Sequence, residues 1–172
     1  DKVVLITGGG TGLGKSIGEY ILKLGGKIII TSRREEVIKK TADTFNNLYP
    51  NSTLGISGDV RKIEDVENVI NQGTEKFNHI DMLINNAAGN FISPTERLSA
   101  NAFSVIIDIV LKGTCNYTLA LGKEWIKAKH PGTILNITTT YALTGSGYVI
   151  PSAAAKGGVL TFTKSIAAEW AK

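Results

Sequence analysis

Apolar runs of strand length alternate along the chain with longer segments whose apolar residues recur at helical spacing. The strand-like runs are 3–7, 27–31, 54–57, 82–85 and 133–138. The segments with helical period are 14–24, 35–48, 63–77, 100–128 and 152–172. This alternation predicts an α/β fold built on a doubly wound parallel sheet with helices on both faces. We interpret 1–172 as a single domain and expect the C-terminal strands of such a sheet to be missing from this chain.

Composition narrows the classes of function. Of the 172 residues, 42% are hydrophobic and 20% are charged, as in an ordinary globular protein, and the net charge is +4. The basic residues are scattered among acidic ones, so no nucleic-acid partner is expected. No apolar run approaches the ~20 residues of a membrane span, and none is predicted. His79 and His130 lack metal-ligand partners at useful spacing, so no metal site is predicted.

A glycine-rich turn separates the first strand from the first helix. Glycines let the backbone approach a pyrophosphate closely, and the helix N-terminus offers free N–H groups and the positive end of its dipole. We therefore predict dinucleotide binding, as in Rossmann-type folds, and a turn without a ligand is the alternative. The predicted cofactor contacts are Gly8, Gly9, Gly10, Thr11, Gly12 and Leu13.

Arg33 and Arg34 follow the second strand, before any acidic residue. An acidic residue at this point binds the ribose hydroxyls of NAD, whereas arginine accommodates the 2′-phosphate of NADP. The two guanidiniums therefore favour NADPH as cofactor. The alternative, in which they only start a solvated helix, is weakened because cations oppose the dipole at a helix N-terminus.

The loop Thr7-Gly8-x-x-x-Gly12-x-Gly14, the run 85–89 and a lysine at Lys156 resemble the short-chain dehydrogenase/reductase family. The position of that family's usual tyrosine holds Ser152, and the position of its serine holds Thr139. Because a ketone reductase delivers a proton from the missing tyrosine, ordinary alcohol–ketone chemistry is not expected.

With these substitutions the chain resembles a narrower group within the family, the mitochondrial-type 2,4-dienoyl-CoA reductases. The resemblance covers the whole chain and is most specific in 85–99, in 138–147 and in 151–156. Tyr141 distinguishes this type from its peroxisomal relatives. The resemblance implies NADPH-dependent reduction of 2,4-dienoyl-CoA to 3-enoyl-CoA in unsaturated fatty acid β-oxidation. It also implies a mitochondrial location and a homotetramer.

The resemblance further implies roles for individual residues. Hydride adds to C5 of the conjugated thioester, the Tyr141 hydroxyl and the Asn90 amide stabilise the resulting oxyanion, and water protonates C2. Lys156 holds the nicotinamide ribose and acts on the phenol through its positive charge, with Ser152 orienting the lysine.

The remaining implied contacts are with the cofactor and the acyl-CoA. Asp59 and Val60 border the adenine. The acyl-CoA is contacted by Arg33, Arg61, Asn90, Phe91 and Ser99.

Plainer alternatives remain open for these residues. Asn90 suits a left-handed turn, Tyr141 a packed core, Lys156 a solvated helix and Ser99 a helix N-cap. Two other functions also remain open. One is a reductase of 3-oxoacyl or other carbonyl groups that uses Tyr148 or Tyr141 as acid, and the other is a non-catalytic NADP-binding subunit.

Overall fold

A parallel sheet of five strands, in the order β3-β2-β1-β4-β5, forms the centre of the computed structural model. The model describes residues 2–171, so Asp1 and Lys172, which end the predicted domain, lie outside the described residues. The strands are β1 Val3–Thr7, β2 Lys27–Ser32, β3 Thr53–Ser57, β4 Met82–Asn85 and β5 Thr133–Asn136. The predicted α/β fold with a doubly wound parallel sheet is thereby confirmed.

Each face of the sheet is covered by its own apolar core. Successive side chains of a strand point to opposite faces, and β1 illustrates the division. Val3 and Leu5 belong to one cluster, whereas Val4 and Ile6 belong to the other. Because both faces are covered, β1 is buried along its whole length and is apolar at almost every position.

Seven α-helices occur in the described part of the chain. They are α1 Gly12–Lys23, α2 Glu35–Leu48, α3 Ile63–Phe77, α4 Ala100–Ile107, α5 Gly113–Ala128, α6 Tyr141–Thr144 and α7 Ile150–Trp170. The last helix begins earlier than predicted, with Pro151 in its first turn. A backbone N–H at this position has no partner within the helix, so proline causes no loss of a hydrogen bond there. β5 ends earlier than predicted because Asn136 pairs with Asn85, the last residue of β4.

The predicted long helix, Ala100–Ala128, is interrupted by a π-helical turn at Asp108–Lys112. Within this turn the Val110 carbonyl accepts a hydrogen bond from the Thr114 hydroxyl at 2.7 Å. Ala100–Ala128 is long and apolar enough to cross a membrane by length and composition alone, but 56% of its most apolar window is buried inside the domain. Such burial is typical of a core helix.

The strand order places a crevice at the carboxyl ends of β1 and β4. From β1 the chain proceeds outward to β2 and β3, whereas β4 lies on the other side of β1 and leads to β5. In open α/β sheets, ligands bind outside the carboxyl ends of the strands where the order reverses in this way. The loops that follow β1 and β4 therefore frame the candidate site.

Candidate active site

Asn86 joins the loop after β4 to the glycine turn after β1. Its side-chain amide donates to the carbonyls of Thr7 and Gly8 at 3.0 and 3.2 Å. The Thr7 hydroxyl in turn accepts from the backbone N–H groups of Asn86 and Ala87, both at 3.0 Å. A Cβ on Gly14 would lie 2.5 Å from the Gly8 carbonyl oxygen, so this close approach requires glycine. The turn is held in shape independently of any ligand.

A cavity of about 320 Å³ opens beside this turn. Its lining includes Gly8, Gly10, Thr11, Arg33, Arg34, Asp59 and Val60, all of which were predicted cofactor contacts. Arg34 precedes α2 and directs a guanidinium nitrogen to the Thr11 hydroxyl at 3.4 Å. The structure therefore gathers the carboxyl ends of four strands, β1 to β4, around one cavity that contains two guanidinium groups.

Three predicted cofactor residues of the turn do not line this cavity. Gly9 faces inward, and a Cβ there would lie 2.6 Å from the Ile30 side chain. Gly12 begins α1 with open space around it, and the side chain of Leu13 is 57% exposed. Their backbone remains part of the turn, and their assignment as cofactor contacts stays a prediction.

Asp59 and Arg61 form a bidentate ion pair at the edge of the cavity. The Arg61 Nε lies 2.9 and 3.0 Å from the two carboxylate oxygens, and its backbone N–H donates to Oδ1 at 3.1 Å. The Arg61 guanidinium holds the pKa of the Asp59 carboxyl below its ordinary value, against the opposing effect of burial. Arg61, predicted to contact the acyl-CoA, is thus engaged with a residue that lines the cavity beside the glycine turn, and its contact with acyl-CoA stays a prediction.

Tyr141, Ser152 and Lys156 are brought together by the packing of α6 against α7. The hydroxyls of Tyr141 and Ser152 lie 3.2 Å apart. Lys156 follows Ser152 by one helical turn, and its ammonium donates to the carbonyl of Ile137, just beyond β5. Burial lowers the pKa of Lys156, whose side chain is almost fully enclosed. Ser152 therefore contacts the phenol, and a backbone carbonyl contacts the lysine.

The loop after β4 forms another part of the site. The Asn90 carboxamide oxygen accepts from the Phe91 N–H at 2.9 Å, which occupies the oxygen and not the amide donor. The Ser93 N–H donates to the carbonyl of Tyr148 at 2.9 Å and joins this loop to the one before α7. Within the described chain, no hydrogen bond links Asn90 to Tyr141, so their joint action on a ligand stays a prediction.

Two predicted substrate contacts, Ser99 and Phe91, lie in the segment between β4 and α4. Ser99 is the N-cap of α4, and its hydroxyl accepts from the Ala102 N–H at 3.1 Å. Phe91 is 37% exposed in the loop after β4. Neither observation tests a contact with acyl-CoA.

Sequence reasoning did not assign several residues that line the cavity. They are Ser32, Gly58, Asn86, Ala87, Ala88 and Ile109. All but Ile109 follow a strand or end one, so their position at strand ends was the available signal. Ile109 comes from the π-helical turn, which no sequence pattern indicated.

A larger cavity of the described chain lies elsewhere. It measures about 720 Å³ and is bounded by α5, β5 and α7, with Trp125, Ile134 and Trp170 among its lining. None of the predicted site residues lines it. Cavity size alone therefore does not locate the chemistry of this domain.

The sequence of this chain is similar to known proteins over nearly its whole length. The family model for short chain dehydrogenases matches residues 2–172. An uncharacterized oxidoreductase of Caenorhabditis elegans is 48% identical over 99% of this chain and 55% of its own length. Probable 2,4-dienoyl-CoA reductase 3 of the same organism is 44% identical over 99% of this chain and 56% of its own length. The chain spans about half the length of these relatives.

Solved structures give the same result for the fold. A short chain dehydrogenase from Bacillus anthracis superposes with a TM-score of 0.95 at 45% identity, over 98% of this chain and 68% of that one. A gluconate 5-dehydrogenase from Burkholderia cenocepacia, solved in complex with NADP and tartrate, superposes with a TM-score of 0.91 at 27% identity. The latter match covers 99% of this chain and 66% of that one.

Proposed function

The chain belongs to the short-chain dehydrogenase family, and from this premise we propose that it reduces 2,4-dienoyl-CoA to 3-enoyl-CoA with NADPH. The proposal agrees with the name of the reductase from Caenorhabditis elegans that is 44% identical. The proposal concerns the whole protein, because the matched segment spans only about half the length of these relatives.

The contact between Tyr141 and Ser152 carries the proposal. Ser152 stands where the family usually has a tyrosine, and an ordinary serine hydroxyl is a poor proton donor to a ketone. The phenol of Tyr141 lies 3.2 Å from that serine, so a phenolic donor is present at the same place although it comes from another helix. Such a donor suits stabilisation of a thioester oxyanion.

The cavity beside the glycine turn fits NADPH by the chemistry of its lining. Gly8 and Gly10 keep that lining free of bulky side chains, and the N-terminus of α1 offers N–H groups to a pyrophosphate. Arg33 and Arg34 supply two guanidinium groups, each of which can donate a pair of hydrogen bonds to a 2′-phosphate. When bound, NADPH supplies a hydride for C5 of the substrate.

The residues of the chain then have separate tasks. Negative charge that develops on the thioester oxygen receives hydrogen bonds from the Tyr141 hydroxyl and the Asn90 amide. Ser152 orients the phenol, and Lys156 holds the nicotinamide ribose. Water supplies the proton at C2, so the product is the 3-enoyl thioester and no alcohol forms. The balance is one hydride at C5 and one proton at C2.

Tyr148 gives little support to a carbonyl reductase. Its side chain is 62% exposed and its backbone adopts a left-handed conformation with φ of 63°. Its carbonyl, not its phenol, makes the contact with Ser93. A general acid needs a fixed position against the carbonyl oxygen, which an exposed ring does not provide.

The resemblance also extends the proposal to location and assembly. We place the protein in the mitochondrion and propose a homotetramer. A relative from Danio rerio, 35% identical, is named a peroxisomal 2,4-dienoyl-CoA reductase, so cell fractionation is needed to separate the two compartments. Native mass measurement tests the tetramer.

The variant Tyr141→Phe tests the function. It removes one oxyanion donor and keeps the ring, so kcat with 2,4-hexadienoyl-CoA falls by roughly 10²–10³. The dissociation constant of NADPH stays unchanged, because the phenol is not among the groups that line the cofactor cavity. Steady-state kinetics and a fluorescence titration with NADPH measure the two quantities.

Tyr148→Phe is the matched control for this experiment. It removes the same hydroxyl from an exposed ring and leaves kcat at the level of the unmodified protein. Full activity of Tyr141→Phe, or equal losses in the two variants, would contradict the assignment of Tyr141.

A further inference from the structure

We propose that Arg61 sets the preference of the cofactor cavity for NADPH over NADH by neutralising the Asp59 carboxylate. The inference rests on the proposed function, because it concerns the same cofactor site. It gives Arg61 a positioning role in the cofactor cavity that is separate from the predicted contact with acyl-CoA. Arg61 acts through Asp59, since Asp59 lines the cavity and Arg61 does not.

The charges around the cavity explain why the Asp59 carboxylate needs a counter-charge. Arg33 and Arg34 line the cavity together with Asp59, whose carboxylate is the single acidic group in the lining. Only 8% of Asp59 is exposed, so water screens its charge poorly. A bare carboxylate there would pair with Arg33 and would repel a phosphate group. Both effects weaken the binding of a 2′-phosphate.

Arg61 satisfies the carboxylate from outside the cavity. Its Nε lies 2.9 and 3.0 Å from the two oxygens, and its backbone N–H adds a third donor at 3.1 Å. Both oxygens of Asp59 are thus engaged by one residue. Arg33 and Arg34 consequently remain available to an anionic ligand.

The turn that carries Asp59 does not depend on the Arg61 side chain. The Asp59 N–H donates to the Asp65 carboxylate at 2.8 Å. The Asn116 amide donates to the carbonyl of Val60 at 2.8 Å, which fixes the turn against α5. Replacement of the Arg61 side chain therefore changes the charge near the cavity while these bonds hold the backbone.

The experiment measures the dissociation constants of NADPH and NADH by fluorescence titration. In Arg61→Gln the affinity for NADPH relative to NADH falls roughly tenfold, as expected for one uncompensated unit charge near the phosphate at an effective dielectric constant of about 20. Arg61→Lys restores most of the preference, because it returns the positive charge. In the double variant Asp59→Asn/Arg61→Gln, the preference equals that of Asp59→Asn alone, since no carboxylate remains to be neutralised.

Arg97→Gln is the control, because Arg97 is an exposed arginine in a separate turn at Thr95–Arg97. It leaves both dissociation constants unchanged. Equal losses for NADPH and NADH in Arg61→Gln would show a purely structural role and overturn the inference. An unchanged preference for NADPH over NADH in Arg61→Gln would also overturn the inference. This holds as well if the KM for acyl-CoA is the one quantity that rises in that variant. If the unmodified protein binds no NADPH, the proposed function and the inference fail together.

Discussion

Ser152 is the residue whose environment departs most from its expected role. Its side chain is buried, and its hydroxyl lies 3.2 Å from that of Tyr141. In the proposed mechanism this contact keeps the phenol directed at the thioester oxygen. Ser152 consequently acts on the oxyanion through Tyr141, whereas Lys156 is held by the carbonyl of Ile137.

Removal of the serine hydroxyl should therefore reduce turnover modestly. In Ser152→Ala, kcat with 2,4-hexadienoyl-CoA falls about three- to tenfold, which corresponds to the loss of one neutral hydrogen bond. Ser146→Ala is the control, because Ser146 is exposed and, among the described residues, its hydroxyl donates to the neighbouring carbonyl of Gly147 alone. Steady-state kinetics of the two variants decide the point. Ser152→Ala with the kcat of the unmodified protein would exclude a role for this contact.

Single residues could be located from the sequence more readily than their partners. Helical spacing places Ser152 and Lys156 on one face, one turn apart, as the structure has them. Their partners, Tyr141 at the start of α6 and Ile137 just beyond β5, come from the segment between β5 and α7, whose path depends on tertiary packing. The pairing of Asp59 with Arg61 likewise depends on the local turn, which neither periodicity nor composition determines.

At the scale of elements, the starts of three strands meet at Asp81, at the edge of the sheet opposite the cavity. Its carboxylate accepts from the N–H of Val3 at 2.8 Å and from the Lys2 ammonium at 2.9 Å. His79 and His130 place ring nitrogens 3.2 and 3.4 Å away. The first residue of β5 donates to the Asp81 carbonyl. One side chain therefore joins β1, β4 and the approach to β5.

This joint predicts a pH-dependent contribution to stability. Burial raises the pKa of Asp81, but hydrogen bonds from Val3 and Lys2 outweigh it and the pKa lies below its ordinary value. The stabilisation is therefore complete above the unfolded pKa of ~3.9 and is lost as pH falls through the lower folded value. Asp81→Asn lowers the free energy of unfolding by about 1–3 kcal/mol at pH 7.

Urea unfolding of the two proteins over a range of pH measures the effect. The difference between them shrinks as pH falls below ~4, because the unfolded chain then binds a proton at Asp81, and it is smallest below the lower folded pKa, where Asp81 is neutral in both states. Asp43→Asn, at an exposed position on α2, is the control and changes the free energy of unfolding by less than ~0.5 kcal/mol. A constant difference between Asp81→Asn and the unmodified protein down to pH ~2 would contradict the assigned charge.

Elements themselves were predictable because apolar periodicity reports burial directly. All five strands and the segments of helical length occur where the pattern indicates. The π-helical turn at Asp108–Lys112 was not predictable, because residues 105–111 are apolar at every position but one and no shift of the helical period can be read from them. The end of β5 was not predictable either, because the end of its partner β4 determines it.

On the scale of the whole molecule, the sheet order brings separate parts of the chain to one edge. The glycine turn, the two arginines after β2 and the turn at Asp59 all border the same cavity. The Tyr141–Ser152 contact lies beyond the end of β5, the strand next to β4. The cavity beside the glycine turn and the phenol of Tyr141 thus both lie at strand ends of one parallel sheet, as the proposed function requires.

The most direct test compares two thioesters as substrates of the purified protein. The rate of NADPH oxidation is measured with 2,4-hexadienoyl-CoA and with acetoacetyl-CoA under the same conditions. A site that stabilises an oxyanion without delivering a proton to a ketone predicts a kcat/KM at least roughly 10²-fold higher for the dienoyl thioester. Faster reduction of acetoacetyl-CoA, or oxidation of NADPH with that substrate alone, would contradict the account.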